Sequence, residues 1–277
     1  NGTDSWTLFP PTARCIQLDV DSLEVGRNYE ALRLVGDARL TLQALTAALQ
    51  GRDLGKRRSA RAALTARIAE GRARHQAEAK PLLESTKSPV RPERIMAELR
   101  RVLTADAIVV ADASYASIWC VNYLPALRPG QRFLTPRGLA GLGWGLPLAL
   151  GAKLAAPEAP VFCVAGDGGF AHVWSELETS RRHGIKVVLT VLNNQVLGYQ
   201  KHAEDVLFGA HTTAVDFQPV DHAAIARACG LNGHRVERAE DYAPALKAAL
   251  AAERTTVIDV LADPDAYPPI TAFEGRL

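Results

Sequence analysis

Several familiar chemistries are missing from this sequence. The 277 residues contain no GxxxxGK(S/T), HExxH or GxSxG, which removes the simplest phosphate-loop, metalloprotease and hydrolase readings. Cysteine is sparse: Cys15, Cys120, Cys163 and Cys229 lie far apart and form no CxxC. Three of them sit in apolar surroundings and are expected as buried free thiols in a reducing compartment. No apolar run reaches the length of a membrane span. The formal net charge of +2 is too near neutral to call for a nucleic-acid or membrane partner. No secretory signal is evident at the start, so a cytoplasmic protein is expected, and the glycosylation pattern Asn1-Gly2-Thr3 is read as coincidence. No methionine precedes Asn1 and the sequence opens in loop-like residues; the expectation is a piece of something larger.

What is present is an alternation of helix-like and strand-like segments, with 48% hydrophobic residues to build a core. Cys15–Val20 and Leu32–Asp37 read as strands and 38–49 as a helix, too little to bury a core alone and hence the expected tail of a second α/β domain over 1–50. Residues 51–92 are rich in Arg and Ala and read as a linker helix; without interleaved aromatics they make a poor nucleic-acid surface. Over 93–277 the expected strands are 107–112, 132–135, 161–165, 187–192 and 255–261. The expected helices are 93–103, 146–154, 172–182, 222–229 and 242–252. Strands separated by helices imply a doubly wound parallel sheet covered on both faces. Ligands of such sheets sit beyond the carboxyl ends of the strands, where Asp112, Asp167 and Asn193-Asn194 all fall.

Asp167 and Asn194 are 27 residues apart, about one βαβ unit, so their side chains can meet at one sheet edge. A carboxylate and an amide oxygen suit a hard, oxygen-ligated cation that leaves room for phosphate. Zinc would want Cys or His, absent at this edge except for His172. Gly168 and Gly169 leave backbone N–H groups open at a helix start, a seat for an anion. Each piece alone has a bland reading, a tight turn and a capping loop. Together they describe a diphosphate held through Mg2+. The stretch Gly141-Leu142-Gly143-Trp144-Gly145 invites a dinucleotide reading, but Leu146 occupies the third glycine position and no acid follows at the ribose distance.

Gly166-Asp167-Gly168, a helix, and then Asn193-Asn194 resembles the signature of thiamine-diphosphate-dependent enzymes. Residues 134–170 look like the cofactor-binding domain of the acetohydroxyacid (acetolactate) synthase group, 15–45 are similar to the end of that group's central domain, and Asp263–Pro269 fits related members. The resemblance implies that Asp167 and the Asn194 side chain ligate Mg2+ together with the Val196 carbonyl. It implies that Gly166, Gly168 and Gly169 meet the diphosphate, and that the loop with Ser114 and Tyr115 reaches it. Leu142 would lie under the cofactor and bend it, and the Ala140 carbonyl would accept from its amino group. Tyr199, His202 and Glu204 are candidates for facing a small-molecule substrate, or for a solvated helix. Two positions depart from the group: Ala203 stands where a tryptophan is usual, and Ser114-Tyr115-Ala116 replaces Gly-Gln-His.

In this family a glutamate of a separate N-terminal domain activates the aminopyrimidine, so no catalytic residue of that kind is expected in this chain. The pyrimidine end would come from a partner chain or an N-terminal half, and a homo-oligomer, dimer or tetramer, is implied. FAD or ADP in the central domain is compatible with the likeness but finds no residues here to support it. The implied activity is a carboligase or lyase acting on a C–C bond beside a carbonyl, acetolactate synthase-like. The alternatives are a 2-hydroxyacyl-CoA lyase-like enzyme and a non-catalytic cofactor-binding or assembly subunit.

Overall fold

A computed structural model describes residues 9, 10, 12–136 and 138–269; the Asn1-Gly2-Thr3 pattern and Arg137 lie outside them. The chain divides into two compact units, 1–76 (with 277) and 77–276. In the first, β1 (Cys15–Asp19) pairs in parallel with β2 (Ala31–Val35), Cys15 opposite Ala31. Helix α1 (Ala38–Gln50) follows, with the Asp37 side chain accepting from the Leu40 amide as its N-cap. Val25 is buried, whereas Ile16, Leu32, Leu40 and Leu42 stay exposed. Helix α2 (Gly55–Leu83) carries the Arg/Ala-rich segment.

The second unit is a six-stranded, all-parallel sheet with helices on both faces, as the alternating pattern requires. Helix α3 (Pro92–Val102) starts on a proline whose missing N–H costs nothing at that position, and it carries Glu93 in its first turn and Arg100 and Arg101 in its last, complementing the helix dipole. Then come β3 (Ile108–Ala111), α4 (Tyr115–Tyr123), β4 (Phe133–Leu134), α5 (Gly145–Ala155), β5 (Val161–Gly166), α6 (Asp167–Ala171), α7 (Glu176–Arg182) and β6 (Val188–Asn193). The chain finishes with α8 (Gly198–Phe208), α9 (His222–Ala228), β7 (Asn232–Val236), α10 (Ala239–Ala251) and β8 (Thr256–Leu261). The strand order is β4-β3-β5-β6-β8-β7.

Side chains alternate between the two layers, as strand geometry dictates. Phe162 and Val164 of β5 join Leu99, Trp119, Tyr242 and Leu246 on one face. Val161, Cys163 and Ala165 join Leu146, Leu150, Phe170 and Leu177 on the other.

Three details differ from expectation. The helix expected over 172–182 starts late: 172–175 are turn and α7 occupies only Glu176–Arg182, while a separate short helix, α6, precedes them. Helix begins already at Asp167, and its two glycines stand where no side chain fits: a Cβ at Gly168 would lie 2.8 Å from the Phe217 ring. Strand β7 and helix α4 were not anticipated. Of the cysteines, Cys120 and Cys163 are buried, while Cys229 and Cys15 are only partly so; all four are free. Among the described residues no helix is long and apolar enough to cross a membrane.

Candidate functional site

From β3 the chain steps outward to the edge strand β4, then returns past β3 to β5 and proceeds the other way to β6. This reversal opens a crevice at the carboxyl ends of β3 and β5, the place where open α/β sheets bind ligands. A cleft lies there, lined by Ser114, Tyr115, Leu142, Gly166, Asp167, Gly168, Gly169, Asn194 and Val196, with Trp119 and Asp263 also in its lining. Residues from three strand ends and the Gly141–Gly145 loop are thus brought to one opening.

Asp167 is only 6% exposed. Its Oδ1 accepts from the Gly168 amide (2.9 Å) and its Oδ2 from the Gln195 amide (2.7 Å). Burial nevertheless pushes its pKa up to about 7; the backbone amides oppose this and the nearby Asp259 carboxylate adds to it. Among the described residues no Lys, Arg or His forms an ion pair with it. The two asparagines part company. Asn193, 1% exposed, turns inward and its Nδ2 donates to Asp259 Oδ1 and to the Val220 carbonyl, both at 2.9 Å. Asn194 faces the cleft, its Oδ1 accepting, among the described residues, a long 3.4 Å hydrogen bond from the Val196 amide.

The side-chain oxygens at this part of the cleft are therefore the Asp167 carboxylate and the Asn194 amide, with Val196 beside them in the lining. Among the described residues no group of three His, Cys, Asp or Glu could hold a metal. An all-oxygen set with a buried carboxylate fits a hard divalent cation and not zinc.

Asp112 has a different task. Its Oδ2 accepts from Gly143 N and its Oδ1 from Trp144 N, both at 3.1 Å, so it clamps the loop that carries Leu142. Gly169 packs so closely on this carboxylate that no Cβ could be accommodated. Ser114 (φ 64°), Ala140 (φ 53°) and Gln195 (φ 59°) are the non-glycine residues with positive φ among those described, and all three belong to the loops around the cleft. Strained backbone of this kind persists only where neighbours over-determine it.

Ala140 is exposed and does not line the cleft; Leu142, which does, is exposed as well. Tyr199, His202 and Glu204 lie outside the lining as well. The Tyr115 hydroxyl and His202 Nδ1 form a 2.6 Å hydrogen bond, the Tyr199 ring meets Tyr115 edge-on at 6.0 Å, and His202 stacks on Tyr267 at 4.1 Å. Burial holds Tyr115 well above the ordinary tyrosine value and lowers His202. Glu204, a candidate either for facing substrate or for a solvated helix, accepts from the Thr212 amide (2.7 Å) and hydroxyl (3.2 Å), fastening the loop after α8. Sequence reasoning missed Asp112 as a clamp and Asp259 altogether. The place of Asp112 at a strand end was the available signal; Asp259 gave none.

Comparison with known proteins agrees with this geometry. Residues 112–260 match the family described as "Thiamine pyrophosphate enzyme, C-terminal TPP binding domain". The chain is similar to the sulfoacetaldehyde acetyltransferase of Castellaniella defragrans, 29% identical over 94% of this chain and 46% of that protein. It is similar to acetolactate synthase isozyme 3 large subunit of Escherichia coli, 27% identical over 94% of this chain and 46% of the relative. Similarity to the acetolactate synthase large subunit IlvG of Mycobacterium tuberculosis is 36% over 65% of this chain and 33% of that protein. The chain spans less than half the length of these relatives. With the family's domain matched from the Asp112 clamp to the last strand of the sheet, the chain belongs to the thiamine pyrophosphate enzymes and carries their C-terminal TPP-binding domain.

Proposed function

We propose that this cleft holds the diphosphate end of thiamine diphosphate through Mg2+, and that the complete protein makes or breaks a C–C bond beside a carbonyl in 2-keto acid substrates, as an acetolactate synthase-like carboligase or lyase. The observation that carries the reading is the convergence of Asp167, Asn194 and Val196 with Gly168 and Gly169 on one cleft. When bound, the cofactor supplies a nucleophilic carbon and an electron sink. The residues of this chain bind and orient it. Asp167, Asn194 Oδ1 and the Val196 carbonyl would take the metal. The glycine amides at the start of α6 and the loop of Ser114 and Tyr115 would receive the phosphate oxygens. Leu142, held by the Asp112 clamp on the adjoining amides, would support the ring system from below, and the Ala140 carbonyl would accept from its amino group. Tyr199 and His202, next to Tyr115, would border the substrate space.

The same reading takes residues 1–50 as the end of a central α/β domain, 51–92 as linker and 93–277 as the diphosphate-binding domain. The exposed apolar side chains of β1, β2 and α1 support the first of these. The pyrimidine-binding domain and its activating glutamate would come from the rest of the protein or from a second subunit of a homo-oligomer, in the cytoplasm. Names among the relatives include acetolactate synthase and sulfoacetaldehyde acetyltransferase, which favours transfer of an acyl-level carbon unit.

The test is a titration of the complete metal-free protein with thiamine diphosphate and Mg2+, followed by intrinsic fluorescence. Binding of each should depend on the other and vanish in Asp167→Ala; independent binding, or none, refutes the site. Assaying CO2 release from pyruvate against aldehyde release from a 2-hydroxyacyl-CoA then separates the two enzymatic readings, and no turnover with intact cofactor binding would leave the assembly-subunit alternative.

A further inference from the structure

Adjacent residues at the end of β6 serve opposite sides of the chain. Asn193 points inward to Asp259, and Asn194 faces the cleft. Asp259, on β8, is fully buried and is the hub of a small network. Its Oδ1 accepts from Asn193 Nδ2 (2.9 Å), while its Oδ2 accepts from the His222 amide (2.9 Å) and from the Arg235 guanidinium. The Val220 carbonyl accepts from both Asn193 Nδ2 (2.9 Å) and Arg235 Nη1 (3.0 Å), closing the network into a ring. We propose that Asp259 is a positioning residue for the metal loop: by gripping Asn193 it fixes the register in which the next residue, Asn194, presents its oxygen to the cleft. The inference rests on the cofactor reading of the cleft.

The loop needs such a grip because its backbone is strained. Gln195 has φ 59°, a conformation an L side chain rarely adopts. It is held there by three tethers. Its amide donates to Asp167 Oδ2 (2.7 Å), its carbonyl accepts from the Phe217 amide (2.8 Å), and the Leu197 amide donates to the Val215 carbonyl (2.8 Å). All three restrain the side of the loop after Asn194. Asn193 is the side-chain anchor before it. Freed from Asp259, the loop can relax toward ordinary φ at Gln195, which rotates Asn194 out of line with Asp167. Arg235 matters to the arrangement because it pairs with Asp259 and so helps fix the carboxylate as the acceptor for Asn193. Partners of this indirect kind orient ligands without touching the ion.

The test uses Mn2+ in place of Mg2+ on the complete protein, with thiamine diphosphate at fixed concentration and free Mn2+ read from its electron paramagnetic resonance signal. Asn193→Ala and Asp259→Asn should weaken Mn2+ binding about 10- to 100-fold. Asn193→Ala leaves Asp259 paired with Arg235 and the His222 amide, so it carries the test if Asp259→Asn does not fold. The control is Tyr242→Phe, which deletes the 2.9 Å Thr190–Tyr242 hydrogen bond elsewhere on β6. It should lower the unfolding midpoint yet leave Mn2+ affinity within about twofold, since it touches no part of the loop. Unchanged Mn2+ affinity in Asn193→Ala, with the wild type binding normally, overturns this inference and leaves the cofactor reading standing. Failure of the wild type to bind Mn2+ and thiamine diphosphate interdependently overturns both.

Discussion

Asp167 should make the stability of the metal-free protein fall as pH rises. Its pKa in the fold is about 7, against an ordinary value of 3.8, with burial as the main cause. A carboxyl raised in this way favours the fold while protonated. Its contribution is fully present below the unfolded value near 4 and is lost as pH rises through about 7. A shift of roughly three units corresponds to about 4 kcal/mol at most, since each unit is worth about 1.4 kcal/mol. That is a large part of a typical domain's stability of about 5–15 kcal/mol. A divalent cation at the site removes the penalty, and below pH 7 each ion bound must displace about one proton. Urea unfolding at pH 5.5, 7 and 8.5, with and without Mg2+ and thiamine diphosphate, reads all of this. The wild type without metal should lose stability across the series and recover it with metal. Asp167→Asn should be flat in this component and deaf to Mg2+, while losing about 1–3 kcal/mol because its NH2 must face one of the two amides the carboxylate satisfies. Parallel pH profiles for the two proteins, or Mg2+ stabilisation that survives the substitution, would refute the reasoning.

Other outcomes follow from the same geometry. Gly169→Ala should abolish cofactor binding measured by fluorescence, because its Cβ would displace the Asp112 carboxylate and release the loop carrying Leu142. Asp112→Ala should cost about 2–5 kcal/mol in urea unfolding, since it strands the buried amide of Gly143 and the partly buried one of Trp144. Trp119→Ala, emptying a fully buried position between α4 and the sheet, should cost about 3–5 kcal/mol by the same measurement. Tyr115→Phe should lower the unfolding midpoint by an amount equivalent to about 1 kcal/mol and raise the His202 pKa seen by NMR only slightly, since burial of the imidazole remains.

The central strands β5 and β6 were legible in the sequence because both faces are buried and they read as mostly apolar runs, interrupted in β6 only by Thr190 before Asn193. The spacing of Asp167 and Asn194 was legible because one crossover sets it. Strand β7 was not: in Asn232-Gly233-His234-Arg235-Val236 only the last residue is buried, so no apolar period marks it. Helix α4 hides for the opposite reason, burying residues on several sides and so lacking a clean amphipathic stripe. The division of labour between Asn193 and Asn194 is beyond local pattern. It depends on Asp259, 66 residues away in the chain and brought alongside only by the β6–β8 register. Glu204 shows the same limit, as its partner Thr212 could not be inferred from spacing alone.

The margins of the sheet bear on how this unit behaves at high concentration. One outer strand, β4, is a two-residue stub, and the other, β7, presents Asn, Gly, His and Arg before its single buried valine. Short or polar outer strands give a neighbouring molecule little backbone to template on. Fibrillar stacking of copies through this six-stranded sheet is therefore disfavoured.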